Sequence, residues 1–165
     1  MKADQLRERN LALDGELLTE ASATDPAALH HAPEGEWSLA QVLAHLDEFP
    51  RFFAAELARW REDPGAVIGR THEHPARLAA VDDPSGQLEE LIAAARESLA
   101  VLAQALDTLT DADIEAPTRN VKYGPEPLSA FLDRYVIAHK AGHLDQIRAL
   151  HKAAPGVRGV PGAAP

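Results

Sequence analysis

The 165-residue chain has no cysteine, one methionine, two tryptophans and two tyrosines. The missing cysteine excludes disulfides, thiolate metal ligands and a cysteine nucleophile. No apolar run approaches the roughly 18 residues that a membrane-spanning helix needs. The charged N-terminal stretch "MKADQLRERNLALDGELL" lacks the apolar segment of a signal peptide. We therefore expect a cytoplasmic protein without a membrane partner.

Positive charge is also scarce, with 16 lysines and arginines against 26 aspartates and glutamates and a formal net charge of −10. Binding to nucleic acid relies on clustered cations that neutralise phosphates. The densest basic segment, "RFFAAELARWR", contains a glutamate and has the pattern of a core helix. On this balance we expect that nucleic acid is not a partner.

No stretch of the sequence alternates clearly between apolar and polar residues, so no strand is predicted. Apolar residues instead recur every three or four positions, which predicts four amphipathic helices. They cover approximately residues 4–21, 38–62, 84–109 and 127–152. We therefore predict an all-α protein, a four-helix bundle with long loops between the helices, in one domain over residues 1–152. The proline- and glycine-rich residues 153–165 predict a flexible C-terminal tail.

The second helix has the clearest start signal. Ser38 is the predicted N-cap, and Gln41 three residues later completes a capping box. Trp37 and Val42 occupy the two positions of a hydrophobic staple. Pro50 lies inside the apolar pattern and predicts a kink, because proline removes a backbone donor. The connection from Asp63 to Pro84 is unusually long and contains "THEHPARLAA", a candidate short helix.

Two histidines on the fourth helix, His139 and His143, are four residues apart and therefore share one face. Apolar residues flank them on that face, so both rings should point inward, where unpaired polar groups cost free energy. Both can be core histidines with hydrogen-bond partners, which is the ordinary case for such a pair. The alternative is a divalent metal such as zinc or nickel, since neutral imidazole is a common ligand for both. His45, on the core face of the second helix, favours the metal because three imidazoles leave an open position for substrate.

The other five histidines carry weaker signals. His30 and His31 lie in a polar loop, and His72 and His74 lie in the long connection, where solvation is the simpler interpretation. His151 is near a helix C-terminus, where a cation interacts favourably with the helix dipole.

The segments "EWSLAQVLAHLDEF" and, about ninety residues later, "AHKAGHLDQIRAL" resemble the DinB/YfiT-like superfamily. The resemblance extends from about Leu6 to His151 and implies a metal-binding four-helix bundle whose ligands are His45, His139 and His143. It also implies activity with low-molecular-weight thiols such as mycothiol or bacillithiol, and a possible homodimer. Pro50 and the "THEHP" loop have no match in that pattern.

Three functions stay open. The first is a transferase that joins a small thiol to an electrophilic substrate, for which a protein without cysteine must take the thiol from a cosubstrate. Tyr135 is a candidate to line its pocket, although a core tyrosine is the simpler interpretation. The second is metal-assisted hydrolysis, with Glu48 as the nominated base, although a solvated surface glutamate is the simpler interpretation. The third is a metal or small-ligand binding module without catalysis.

Overall fold

The computed structural model describes residues 2–153. Four long helical segments form a bundle, as predicted. They are α1 (Ala3–Ser22), α2 (Leu39–Glu62), α4 (Leu88–Asp107) and a final segment in which α7 (His139–Ala153) is the longest piece. Of the predicted tail, only Ala153 lies within the described residues, as the last residue of α7.

The helices bury one continuous apolar core. Helix α2 packs against α4, and α1 packs against both α4 and α7. The core is built from the predicted stripes, including Leu6, Leu17, Leu46, Phe49, Phe53, Leu57, Leu102, Leu132, Val136 and Ile147. Among the described residues, no helix has the length and apolar character needed to cross a membrane.

The start of α2 follows the sequence signal closely. The backbone N–H of Gln41 donates to Ser38 Oγ at 3.3 Å, and the Ser38 N–H donates to Gln41 Oε1 at 2.9 Å. The side-chain Nε2 of Gln41 donates to the Val81 carbonyl, which links α3 (Pro75–Asp82) to α2. Helix α2 continues through Pro50 to Glu62. This strong start fixes the rotational position of every later side chain of α2.

The third long helix begins later than predicted. The start expected at Pro84 is wrong, because the chain leaves α3 at Asp83 and α4 starts only at Leu88. Gly86 has a φ of 124°, a conformation that interrupts a right-handed helix. The N–H of Gln87 then donates to the Glu90 carboxylate at 2.9 Å, which caps the new helix.

A small three-stranded sheet was not predicted. Strand β1 (Val67–Ile68) pairs in parallel with β2 (Pro117–Asn120), and β2 pairs antiparallel with β3 (Gly124–Pro127). A short helix, α5 (Asp111–Glu115), precedes β2. The strands are two to four residues long, and β2 and β3 contain prolines, so no apolar alternation marks them. Strand β1 contacts α2, and β2 and β3 contact α6 (Leu128–Leu132), so the sheet joins the two long connections beside these helices.

The predicted fourth helix is composite. Helix α6 (Leu128–Leu132) passes into a π-helical segment, Asp133–Ala138, and then into α7. A π-helical turn has an extra residue and shifts the face on which later side chains lie. It ends immediately before His139, so it sets the direction in which the histidine pair points.

Candidate metal centre

Three imidazole rings meet in the bundle between α2 and α7. The Nε2 atom of His139 lies 3.0 Å from Nε2 of His45 and 3.1 Å from Nε2 of His143. The three candidate ligand atoms all lie within 4.8 Å of one another. His45 is almost fully buried, with 1% of its surface exposed. The structure thus brings together the three histidines that the sequence nominated; their role as metal ligands stays a prediction.

No choice of tautomers for the three rings turns every contact between their Nε2 atoms into a hydrogen bond. Gln146 Oε1 lies 3.1 Å from His143 Nδ1, which favours a proton there and leaves a lone pair on Nε2. Glu48 beside Nδ1 of His45 favours the same tautomer in that ring. A proton on His139 Nε2 can then serve only one of its two neighbours. A cation at the centre of the cluster would accept all three lone pairs, so the donor set fits a divalent metal.

Burial and the neighbouring charges keep the three imidazoles uncharged. Burial, together with the adjacent His143 and His45, lowers the pKa of His139 to about 2. Burial and the charge of His45 lower the pKa of His143 to about 4. Burial also lowers the pKa of His45, although Glu48 opposes that effect. Near neutral pH the three rings are therefore unprotonated, which is the state that binds metal.

Glu48 is paired and mostly buried, with 16% of its side chain exposed, so the interpretation of a solvated surface glutamate is wrong. Its carboxylate forms a two-pronged ion pair with Arg70, which follows β1 and is itself buried. Oε2 of Glu48 lies 3.6 Å from Nδ1 of His45, an atom without a hydrogen bond among the described residues. Burial alone would raise the pKa of Glu48. The bonds with Arg70 and the contact with His45 lower that pKa to about 2. Such a carboxylate can orient His45 but is a weak general base.

Aromatic rings pack around the imidazoles. Trp37 lies parallel to His143, with ring centroids 6.0 Å apart, and edge-on to His45 at 5.4 Å. Phe49 contacts His139 from the opposite side, with centroids 4.8 Å apart. These contacts leave few alternative rotamers for the three histidines and exclude water from the protein side of the cluster.

A cavity of about 250 Å³ opens onto the cluster. His45 and His139 form part of its wall, so a ligand in the cavity would reach their ring nitrogens. Tyr135 lines the cavity, as one interpretation of the sequence proposed, and its hydroxyl lies 3.4 Å from Asn120 Oδ1. The wall also includes residues from loops, α3 and the π-helical segment that the sequence did not single out: Arg70, Thr71, Arg77, Lys122, Tyr123 and Arg134.

The other histidines lie apart from the cluster. His72 reaches the cavity wall, whereas the ring of His74 packs on Phe52 with centroids 5.1 Å apart. His151 Nε2 lies 2.7 Å from Thr24 Oγ1, which joins the ends of α7 and α1. His31 lines a separate small cavity near those ends.

Replacing Glu48 with glutamine should lower zinc affinity by about 10–100-fold, the usual effect of losing a residue that orients a metal ligand. The variant keeps the side-chain shape but leaves Arg70 buried without its counter-ion. Competition titration against a zinc chelator measures the change. Glu62→Gln makes the same charge change at the exposed end of α2 and should leave the affinity unaltered. Equal affinities in the two variants would contradict the assigned role of Glu48.

Comparison with known proteins agrees with this architecture. A family model described as the DinB superfamily matches residues 5–147 of the chain. No curated protein sequence matches the chain at a significant level.

Several solved structures share the fold at low sequence identity. YfiT from Bacillus subtilis, described as a probable metal-dependent hydrolase with an unusual four-helix bundle topology, is 16% identical with a TM-score of 0.71. That match covers 92% of this chain and 86% of YfiT. A variant of the mycothiol-dependent maleylpyruvate isomerase is also 16% identical, with a TM-score of 0.65. That match covers 86% of this chain but only 60% of the isomerase, which is the longer protein.

The expectation about nucleic acid needs correction. The colibactin self-resistance protein ClbS, solved in complex with double-stranded DNA, has a TM-score of 0.74 at 10% identity. The match covers 93% of this chain and 98% of ClbS. An interaction with nucleic acid is therefore possible in this family, and the exclusion based on net charge is wrong. Net charge averages over the whole surface, whereas binding depends on where the cations lie.

Proposed function

The chain belongs to the DinB superfamily, and we propose that it is a divalent-metal-dependent transferase that joins a small thiol to an electrophilic substrate. The observation that carries the proposal is the convergence of three unprotonated imidazoles, two of which, His45 and His139, form part of the wall of a cavity. Three protein ligands with an open side are typical of catalytic metal sites rather than structural ones. The chain has no cysteine of its own to occupy that side.

When bound, a zinc or nickel ion would supply a positive charge that lowers the pKa of a thiol in the cavity. His45, His139 and His143 would hold the ion, and such neutral ligands would leave its full charge available. Glu48 lies 3.6 Å from Nδ1 of His45, where it favours a proton on that nitrogen, and is itself neutralised by Arg70. The chain's own residues therefore make the cavity favour an anionic nucleophile.

Hydrolysis is the second candidate, since YfiT is described as a metal-dependent hydrolase. A bound metal would lower the pKa of water as well as that of a thiol, and a general base would assist hydrolysis further by taking a proton from that water. In this chain Glu48 has both oxygens on Arg70, and no carboxylate lines the cavity among the described residues. Thiol transfer depends less on such a carboxylate, because a thiol is far more acidic than water and its thiolate is the nucleophile. This difference favours the transferase.

The test is consumption of a thiol with monobromobimane as electrophile, using zinc- and nickel-loaded protein and, in parallel, mycothiol, bacillithiol, glutathione and coenzyme A. We expect at least one thiol to react faster than in the uncatalysed control. His143→Ala should remove this acceleration, whereas His151→Ala, on the same helix but outside the cluster, should retain it. If metal binds and no thiol reacts above background, the protein is a hydrolase or a binding module, and hydrolysis of a p-nitrophenyl ester separates these two.

A further inference from the structure

We propose that the cavity beside the histidine cluster binds a small molecule carrying a carboxylate or phosphate, and that Arg77 and Lys122 hold this oxyanion. The proposal deepens the proposed function, on which it rests, by naming the class of substrate or cosubstrate that the same site accepts.

The cavity wall is cationic in an otherwise acidic protein. Four cationic side chains line it, while the chain as a whole has a formal net charge of −10. Two of them are neutralised within the protein. Arg70 is paired with Glu48, and Arg134 donates to both oxygens of Glu126 at 2.9 Å. Neither arginine therefore needs a charge from a ligand.

The other two cations have no such partner. Within the described part of the chain, neither Arg77 nor Lys122 forms an ion pair with a carboxylate. Arg77 donates only to the backbone carbonyl of His72 at 2.8 Å, and its guanidinium lies 5.0 Å from the centre of the Trp37 ring. Lys122 Nζ lies 5.2 Å from the centre of the Tyr123 ring. An anionic ligand in the cavity would supply the missing counter-charge.

Contacts within the protein hold the Arg77 side chain and the backbone of the turn that carries the exposed Lys122. The contacts with His72 and Trp37 hold Arg77 at the start of α3, close to the aromatic wall of the cluster. Asn120 fixes the turn that carries Lys122, because its Oδ1 accepts hydrogen bonds from the backbone N–H groups of Lys122 and Tyr123 at 2.8 and 3.3 Å. Gly124, with a φ of 75°, completes that turn. Such preorganisation reduces the ordering cost of binding.

The shape of the cavity limits the ligand. About 250 Å³ is at the lower end for ligand pockets and suits a small molecule. His45 and His139 form one part of the wall and the two free cations another, so one molecule can contact both. The arrangement selects a ligand with a reactive end at the histidines and an oxyanion at Arg77 and Lys122.

NMR titration of the full-length protein tests this, using malonate, inorganic phosphate and the uncharged analogue malonamide as probes. Each titration is done with metal-free and with zinc-loaded protein. Arg77→Gln and Lys122→Gln remove the two cations. Arg119→Gln is the matched control, because Arg119 is exposed on β2 and does not line the cavity.

We expect malonate or phosphate to bind at least tenfold more tightly than malonamide, and each cavity variant to weaken that binding by about tenfold. Arg119→Gln should retain the wild-type affinity. If neither malonate nor phosphate binds more tightly than malonamide, or if anion binding is unchanged in both cavity variants, the proposal is overturned even if zinc binds normally. Failure of zinc binding would instead remove the proposed function, while anion binding to metal-free protein would still decide the role of Arg77 and Lys122.

Discussion

Replacing His143 with alanine should lower zinc affinity by at least about 100-fold, more than the loss of an orienting neighbour causes. The variant keeps His45 and His139 but removes one of three converging nitrogens, and two ligands hold the ion in a far less defined geometry. Zinc at 100 times its dissociation constant should stabilise the wild-type fold by about 2.7 kcal/mol, because it binds only the folded cluster. That stabilisation should be nearly absent in His143→Ala.

Chelator competition gives the affinity, and thermal unfolding with and without zinc gives the stabilisation. The apolar stripes of the bundle are untouched, so the metal-free variant should still unfold cooperatively. His151→Ala is the matched control, since it removes an imidazole from the same helix without altering the cluster. Zinc affinity that is the same in wild type and His143→Ala would show that the metal binds elsewhere.

The fold was predictable where local signals agree with the core pattern. The Ser38 and Gln41 capping box marked the start of α2, and the leucine stripes marked the buried faces. The histidine cluster followed from the same logic, because a helix face fixes the direction of every third or fourth side chain. Once α2 and α7 pack in one bundle, core-facing residues at the same height along the bundle axis lie close together.

The sheet could not be predicted in this way. Its strands are short, and the buried positions of β2 are Thr118 and Asn120, so the inner side of the strand is polar. The start of α4 was also misplaced. Pro84 suits a first helical turn, but Gly86 has a positive φ that prevents a helix from continuing through it. The sheet depends on pairing between segments that are distant in sequence, and the start of α4 depends on the backbone conformation of one glycine.

The cationic cavity was missed for a related reason. The sequence contains no dense basic segment at Arg70, Arg77, Lys122 or Arg134, which come from different elements. Only the pairing of β1 with β2 brings the loops that carry Arg70 and Lys122 to one end of the bundle. Charge counted along the chain therefore underestimates the positive charge available to a ligand at this site.

Replacing Lys140 with methionine should destabilise the protein by about 3–5 kcal/mol, a large share of the stability of a domain this size. Lys140 is fully buried next to His139 and forms an ion pair with Asp14 of α1. Its Nζ also donates to Asn10 Oδ1 at 2.7 Å. Burial lowers the pKa of Lys140 and raises that of Asp14, so each charge depends on the other. The single variant leaves a buried carboxylate without its cation.

Removing the whole polar cluster should restore most of that loss. Asn10 also donates to Asp14 Oδ2 at 3.1 Å, so the compensated variant combines Lys140→Met with Asp14→Leu and Asn10→Leu. Well-packed apolar residues can replace a buried ion pair at little or no cost, because no charge is left without a partner. Urea unfolding of wild type, the single variant and the triple variant measures the difference, with exposed Lys152→Met as the control on α7. A loss below about 1 kcal/mol in the single variant, or a triple variant no more stable than the single, would contradict this account of how α1 holds the helix that carries His139 and His143.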